Sequence, residues 1–91
     1  MDTIEKNKTK NLVKEDVLKQ NEIVVFNDDY NTFKHVIECL VKYCNHDSLQ
    51  AQQCAFIIHH NGKCSVKTGT YEKLLPIASV LAENGLSTEI V

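Results

Sequence analysis

Apolar positions along the chain fall into short β-branched runs and longer runs with helical spacing. The run at residues 22–26 is β-branched and aromatic and precedes turn-forming residues, which predicts a strand in the centre of its sheet. Over residues 32–44, apolar side chains recur at intervals of three and four, which predicts an amphipathic helix with Asn31 as its N-cap. The folded part of the chain is therefore expected to open with a strand and a helix.

A second helix is predicted to follow after a short turn. Asp47 and Gln50 have the spacing of a capping box, and Asn61 with Gly62 is expected to end the helix. The expected buried face comprises Ala51, Cys54, Ala55 and Ile58. Residues 63–68 alternate weakly between polar and apolar types before Gly69, which predicts a second strand with one exposed face.

A third helix is predicted from an N-cap at Thr70 to about residue 84, with Gly85 just beyond its C-terminus. Pro76 leaves two alternatives open: a kinked helix, or a helix that begins near Leu75 with proline in its first turn. Residues 86–91 predict a last strand. The resulting order, β-α-α-β-α-β, is an α+β fold in which a three-stranded antiparallel sheet packs against three helices.

The first 21 residues differ in character from the rest. They contain five Lys, four acidic residues and no aromatic residue, so they cannot bury enough surface to offset the entropy of ordering them. We expect a flexible tail at residues 1–21 and a single core domain at residues 22–91.

The charge pattern narrows the classes of partner. All ten basic residues are Lys and the net charge is −2, so the chain lacks the Arg fork and the positive surface that favour nucleic acid. No apolar stretch approaches the roughly 18 residues that span a bilayer, and the N-terminus lacks the apolar core of a signal peptide. We therefore expect no membrane partner and a cytoplasmic location.

The cysteines and histidines lack the spacing of a metal site. The four cysteines are separated by five, ten and ten positions, and they are expected to be small buried hydrophobes kept reduced. His35 and His46 are expected at the surface. The chain has no nucleophile elbow, C-x-x-C motif or phosphate loop, so we expect no enzymatic activity, no cofactor and no metal.

Two polar features could carry function. The string Asn-Asp-Asp-Tyr-Asn at residues 27–31 could bind a charged amine through its oxygen atoms, or it could be a solvated turn that caps the helix. His59 follows the apolar face of the second helix, so its ring could lie at the rim of a crevice or interact with the last helical carbonyls. Composition alone leaves these alternatives open.

Together these features resemble a known family. The string Asn-Asp-Asp-Tyr follows an apolar strand, and about thirty residues later an apolar helix ends in His59, Gly62 and Lys63 with the spacing H-x-x-G-K. Over residues 22–91 the chain resembles the ClpS family of N-degron adaptors. The resemblance implies a monomeric adaptor without catalytic activity that binds proteins by a destabilising, large hydrophobic N-terminal residue. It also implies delivery of these proteins to a Clp protease through the N-terminal domain of the unfoldase.

The resemblance also assigns roles to individual residues. Those that match contacts to the α-amino group and the first peptide unit are Asn27, Asp28 and His59, with Asp29 and Asn31 beside them. Those that match the side-chain pocket are Phe33 at the gate, where the family usually has Met, and Val36, Ala55 and Ile58 in the walls. Those expected to dock on the unfoldase are Glu72 and Lys73. A bulkier gate and a small wall residue imply a reshaped pocket, which leaves the preferred N-terminal residue open.

Elementary chemistry agrees with the resemblance. A free N-terminus is a cation at neutral pH, and its removal from water is costly unless acceptors such as Asn27, Asp28 and His59 replace its hydration. Two alternatives remain at this stage. Asp28, Asp29 and His59 could form a metal-binding regulatory module, or the chain could be an interaction domain resembling the C-terminal domain of the ribosomal stalk protein, which lacks the acidic string.

Overall fold

The computed structural model describes residues 20–91 and contains the elements in the predicted order, β-α-α-β-α-β. The strands are β1 (Asn21–Phe26), β2 (Lys63–Gly69) and β3 (Ser87–Ile90). The helices are α1 (Phe33–Cys44), α2 (Ser48–Asn61) and α3 (Tyr71–Glu83). Strand β1 begins one residue before the predicted start of the core, and residues 1–19 of the predicted tail lie outside the described residues.

The three strands form one antiparallel sheet with β1 in the centre, as predicted. Alternation along β1 buries Ile23 and Val25 in the core. Ile23 pairs with Lys67 but Val24 pairs with Ser65, so Val66 is an extra residue of β2 at a β-bulge. The predicted α+β fold is confirmed.

The core lies between this face of β1 and the three helices. Helices α1 and α3 contribute large, fully buried side chains, which are Leu40, Leu74 and Leu81. Helix α2 contributes mainly small ones, which are Ala51 and Ala55, together with Ile58. Three other large apolar side chains of α2 are exposed, and these are Leu49, Phe56 and Ile57. None of the helices in the described part combines the length and the apolarity needed to cross a bilayer.

The helix ends correct one prediction and confirm two others. Thr32, not Asn31, is the N-cap of α1, because its side-chain oxygen accepts a hydrogen bond from the amide of His35 at 3.0 Å. Asn31 is one residue too early, and its side chain is bonded elsewhere. Asp47 caps α2 as predicted, and Gly62 ends that helix with a φ of 97°, a left-handed conformation that favours glycine.

Pro76 lies inside α3. The helix begins at Tyr71 after its N-cap Thr70, so the alternative of a start near Leu75 is wrong. Because proline has no amide hydrogen, the carbonyl of Glu72 receives no intrahelical bond from position 76. Gly85 follows the helix with a φ of 91°, in agreement with its predicted place after the C-terminus.

The surface location predicted for His46 is wrong. Its side chain is only 5% exposed, and Nε2 donates to the carbonyl oxygen of Val66 at 2.6 Å. The ring is buried because it covers the carbonyl of the bulge residue, which has no partner residue on β1. His35 is half-buried, with its Nε2 2.8 Å from the carbonyl oxygen of Asn84.

The cysteines divide into two pairs by burial. Cys39 and Cys44 are buried, as predicted, whereas Cys54 and Cys64 are half-buried. Burial raises the pKa of Cys44 to about 11, and burial with the nearby Cys64 thiol raises the pKa of Cys54 to about 12. Both thiols are therefore protonated, and weak as nucleophiles, at neutral pH.

Candidate functional site

One backbone hydrogen bond brings the two motifs together. The amide of Asn27, directly after β1, donates to the carbonyl oxygen of Gly62, directly after α2, at 2.8 Å. Since β1 is the central strand, the loop at residues 27–31 starts from a fixed point of the core. The last turn of α2, with His59, therefore lies beside this loop.

The Asp28 carboxylate organises the loop. Its Oδ1 accepts hydrogen bonds from the backbone amides of Tyr30 at 2.9 Å and Asn31 at 2.8 Å, and its Oδ2 accepts one from Nδ2 of Asn31 at 2.7 Å. These bonds lower the pKa of Asp28, and the backbone amide of Asn31 is the largest cause. Partial burial raises the pKa, whereas the Tyr30 amide and the Asn31 side chain lower it further. A carboxylate offers about four lone-pair directions, so Oδ2 retains one for a further donor.

Asn31 braces the loop from the other side. Besides the bond to Asp28, its Nδ2 donates to the carbonyl oxygen of Gly85 at 2.8 Å, which ties the loop to the turn between α3 and β3. Both hydrogens of this amide are therefore used, and only its Oδ1 is left to meet a ligand. Its assigned role as a ligand stays a prediction.

An open cavity of about 520 Å³ lies over the loop and the end of α2. Its lining residues are Asn27, Asp28, Asp29, Asn31, Phe33, Phe56, His59 and His60. The five residues assigned to the amino group thus meet at one cavity. Sequence reasoning missed Phe56 and His60. Phe56 precedes His59 by three positions and His60 by four, and this spacing is the available signal, since residues three and four apart share a helix face.

Aromatic contacts hold the imidazole of His59 in place. The ring centroids of Phe56 and His60 are 4.1 Å apart, and the ring of His60 meets that of His59 edge-on at 4.9 Å. Such tilted contacts favour one ring orientation over others. His59 is itself exposed, so a neutral imidazole can offer a nitrogen lone pair to a donor in the cavity.

A small apolar cavity of about 30 Å³ continues inward from the open one. Its lining residues are Asn27, Asn31, Phe33, Val36, Ala55, Ile58 and His59, which include all four predicted pocket residues. Val36, Ala55 and Ile58 are buried walls, whereas Phe33 is 46% exposed. The volume is close to that of one water molecule, so the cavity as it stands is too small for a large side chain.

The remaining predicted residues lie apart from these cavities. Glu72 and Lys73 are exposed in the first turn of α3 and do not line either cavity. Among residues 20–91, no group of three or more His, Cys, Asp and Glu side chains is placed to hold a metal ion. The metal-binding alternative therefore finds no ligand set in this part of the chain.

Comparison with known proteins identifies relatives of this chain. It is 40% identical over 52 residues to the ATP-dependent Clp protease adapter protein ClpS of Thermosynechococcus vestitus, which covers 56% of this chain and 55% of that protein. It is 33% identical over 66 residues to the same protein of Synechocystis, which covers 71% of this chain and 67% of that protein. The matched segment thus spans little more than half of the first relative.

The fold is similar to that of a solved structure, Agrobacterium tumefaciens ClpS2 bound to L-phenylalaninamide. The TM-score is 0.64 over 80% of this chain and 98% of that chain, with 18% sequence identity. At this identity the likeness concerns the fold alone. Residues 18–87 match the family model described as ATP-dependent Clp protease adaptor protein ClpS. With most of its length inside that match, this chain belongs to the ClpS family.

Proposed function

We propose that this chain is an adaptor that captures proteins by a free N-terminal residue with a large hydrophobic side chain and delivers them to a Clp unfoldase and protease. The observation that carries the proposal is the meeting of Asn27, Asp28 and His59 at one open cavity, directly above an apolar one. The two parts match the two features of such a terminus, an ammonium group and the first side chain.

The polar part suits an ammonium group. Three donors on Asp28 fix the orientation of its carboxylate and leave one lone-pair direction of Oδ2 for the substrate. The side-chain oxygen of Asn27 and a nitrogen of His59 supply two further acceptors. Together they replace three hydrogen bonds to water, which offsets the cost of desolvating the cation. An acetylated terminus has no such charge and leaves the acceptors unpaired.

The apolar part suits the first side chain. Val36, Ala55 and Ile58 form fixed walls, while the exposed ring of Phe33 closes the entrance. Movement of this ring makes room for an aromatic or Leu side chain and then covers it. Burial of such a side chain stabilises the complex by about 1.5–3 kcal/mol. After the entropy of binding is subtracted, we expect low-micromolar affinity, near −8 kcal/mol.

The relatives support this proposal. L-Phenylalaninamide, the molecule bound to ClpS2 of Agrobacterium, consists of a free amino group, an aromatic side chain and an amide in place of the next peptide unit. These are the three groups for which the polar and apolar cavities of this chain offer partners. The family description names an adaptor of the ATP-dependent Clp protease, which supports the delivery step.

Delivery requires a surface distinct from the substrate site. Glu72 and Lys73 are exposed and lie outside both cavities, so we propose that they contact the N-terminal domain of the unfoldase while a substrate is bound. The adaptor acts as a monomer without catalytic activity, and its place of action is the cytoplasm. Substitution of both residues by Ala should abolish stimulated degradation in a reconstituted assay while peptide affinity stays unchanged.

A pair of peptides tests the proposal. A fluorescent peptide with free N-terminal Phe should bind in an anisotropy titration, whereas its acetylated twin should not. Asp28→Asn removes the negative charge with almost no change of shape and should abolish binding of the free peptide. Asp47→Asn is the matched control, because Asn serves equally well as an N-cap and the same charge is removed. Equal binding of the two peptides would refute the proposal.

A further inference from the structure

A second apolar cavity, of about 450 Å³, lies along the outer face of α2. The residues that line it are Phe33, Leu49, Gln52, Gln53, Phe56 and Ile57, and we call it the α2 groove. It contains no charged side chain, and Leu49 at its far end is 64% exposed. Contiguous exposed apolar surface on a protein monomer is often functional.

The α2 groove is continuous with the amino-group cavity. Phe33 and Phe56 line both the α2 groove and the amino-group cavity, so the two cavities share a wall. A peptide held by its ammonium group must leave the cavity along some surface. The α2 groove is an apolar path that begins at two residues of the cavity proposed for the terminus.

The spacing of the groove matches that of an extended peptide. In an extended chain, the first and third side chains point to the same side and lie about 6.6–7.2 Å apart. Because a helix rises about 1.5 Å per residue, this distance corresponds to four or five residues of α2. A peptide whose first side chain is placed between Ala55 and Ile58, and which runs toward the N-terminus of α2, would bring its third side chain to the level of Gln52 and Gln53 in the α2 groove.

We infer that the α2 groove receives an apolar side chain at the third residue of the bound peptide, so that this chain selects its substrates by two positions. This inference rests on the proposed function. The apolar walls are Leu49, Phe56 and Ile57, and the side-chain amide of Gln53 offers a donor and an acceptor to the peptide backbone. The lack of charge in the groove disfavours Asp, Glu or Lys at the third residue.

Peptides that differ only at the third residue test this inference. A fluorescent peptide with free N-terminal Phe and Leu at position three should bind about three- to tenfold more tightly than its twin with Ser at that position. The double variant Leu49→Ser/Ile57→Ser should lose this advantage while it binds the Ser peptide as the wild type does. Neither substituted residue lines the cavities that hold the terminus.

The control variant is Leu75→Ser. Leu75 is also apolar and 45% exposed, but it lies on α3 and does not line the α2 groove. It should keep the full preference for Leu at position three. Surface substitutions of this kind usually change stability little, and thermal unfolding followed by circular dichroism checks that all variants are folded.

The outcomes separate this inference from the proposed function. If the free peptides bind and the acetylated ones do not, yet position three has no effect, the adaptor proposal stands and the inference is wrong. If free and acetylated peptides bind equally, both are wrong. If the α2 groove instead holds a second copy of this chain, the wild type sediments as a dimer that the double variant dissociates, and this too overturns the inference.

Discussion

The side-chain amide of Asn31 donates to Oδ2 of Asp28 at 2.7 Å, and this bond fixes the direction in which the carboxylate faces the cavity. The backbone amides of Tyr30 and Asn31 hold the other oxygen, so the carboxylate cannot rotate without breaking at least one bond. The acid is thus oriented before a substrate arrives. A binding group that needs no reorganisation costs less entropy when the complex forms.

Asn31→Ala should therefore weaken peptide binding although Asn27, Asp28 and His59 are unchanged. We expect the affinity for a peptide with free N-terminal Phe to fall about tenfold, which corresponds to about 1.4 kcal/mol. The free energy of unfolding should fall by about 1–2 kcal/mol, since the bonds to Asp28 and Gly85 are lost. Anisotropy titration and chemical denaturation measure the two effects.

The matched control for this prediction is Asn61→Ala, at the exposed end of α2. The side chain of Asn61 has no hydrogen bond to any other residue of the described part, and it does not line the amino-group cavity. Its removal should change neither quantity. Unchanged affinity in Asn31→Ala would contradict the view that the orientation of the carboxylate matters.

Phe33→Ala should change which first residue is preferred. The inner cavity of about 30 Å³ is too small for a large side chain, and Phe33 is the exposed apolar residue in its lining, so removal of the ring should enlarge the space for the first side chain. The affinity for a Trp-initiated peptide relative to a Leu-initiated one should rise about three- to tenfold. Tyr71→Ala, another exposed aromatic residue, is the control. A ratio that stays the same in Phe33→Ala would show that Phe33 does not limit access.

Peptide binding should weaken in alkaline solution. Between pH 5 and 7 the charge of Asp28 does not change, so Asp28 should cause no loss of binding in that range. The pKa of Asp28 is lower in the folded protein than in the unfolded chain, where it is about 3.9. The stabilisation from the charged carboxylate is therefore fully present above the unfolded pKa, and it is lost only as the pH falls through the lower folded pKa. The peptide amine has a pKa near 8. Above that pH, anisotropy titration should show affinity falling about tenfold per unit.

The acetylated twin supplies the baseline for the pH series, since it carries no titrating amine. It should show no binding at any pH from 7 to 9.5. If the free peptide keeps its affinity up to pH 9.5, the positive charge of the terminus is not what the site recognises, and the role assigned to Asp28 is wrong.

The strands and helices can be predicted from local sequence patterns. The predictions are wrong where contacts between distant residues determine the local structure. Ile23 and Val25 alternate along β1, and the helical spacing of α1 is equally plain, so both are predictable from the chain alone. The N-cap of α1 was misassigned because Asn31 and Thr32 are both good capping residues. In the fold the side chain of Asn31 is bonded to Asp28 and to Gly85, more than fifty positions away, and Thr32 caps the helix.

In the candidate site too, some residues are predictable from the sequence and others are placed by tertiary contacts. The roles of the residues at 27–29 and of His59 come from the resemblance to a family; these residues line one cavity, and their role in binding stays a prediction. Phe56 and His60 belong to no motif, and they line the cavity because α2 leaves its larger side chains exposed. His46 was misplaced because only the bulge in β2 exposes the Val66 carbonyl that the ring covers, and a bulge leaves little trace in sequence.

His46→Ala should destabilise the fold without any effect on peptide binding. The substitution leaves the carbonyl oxygen of Val66 without its donor and empties a buried site, so the free energy of unfolding should fall by about 1–3 kcal/mol. His60→Ala removes an exposed ring and should cost no more than about 0.5 kcal/mol. Urea denaturation measures both. Equal losses in the two variants would contradict the structural role of His46.

Pro76→Ala should stabilise the fold. Proline at this position removes the hydrogen bond to the carbonyl of Glu72 and crowds the preceding turn, which costs a helix about 3 kcal/mol relative to alanine. Because residue 76 is exposed, alanine loses little packing there, and we expect the free energy of unfolding to rise by about 1–3 kcal/mol. Ser79→Ala, also exposed in α3, is the control and should add no more than about 0.5 kcal/mol. Unchanged or lower stability in Pro76→Ala would mean that α3 is adapted to the missing bond, so that the Glu72 carbonyl is satisfied by water at no net cost.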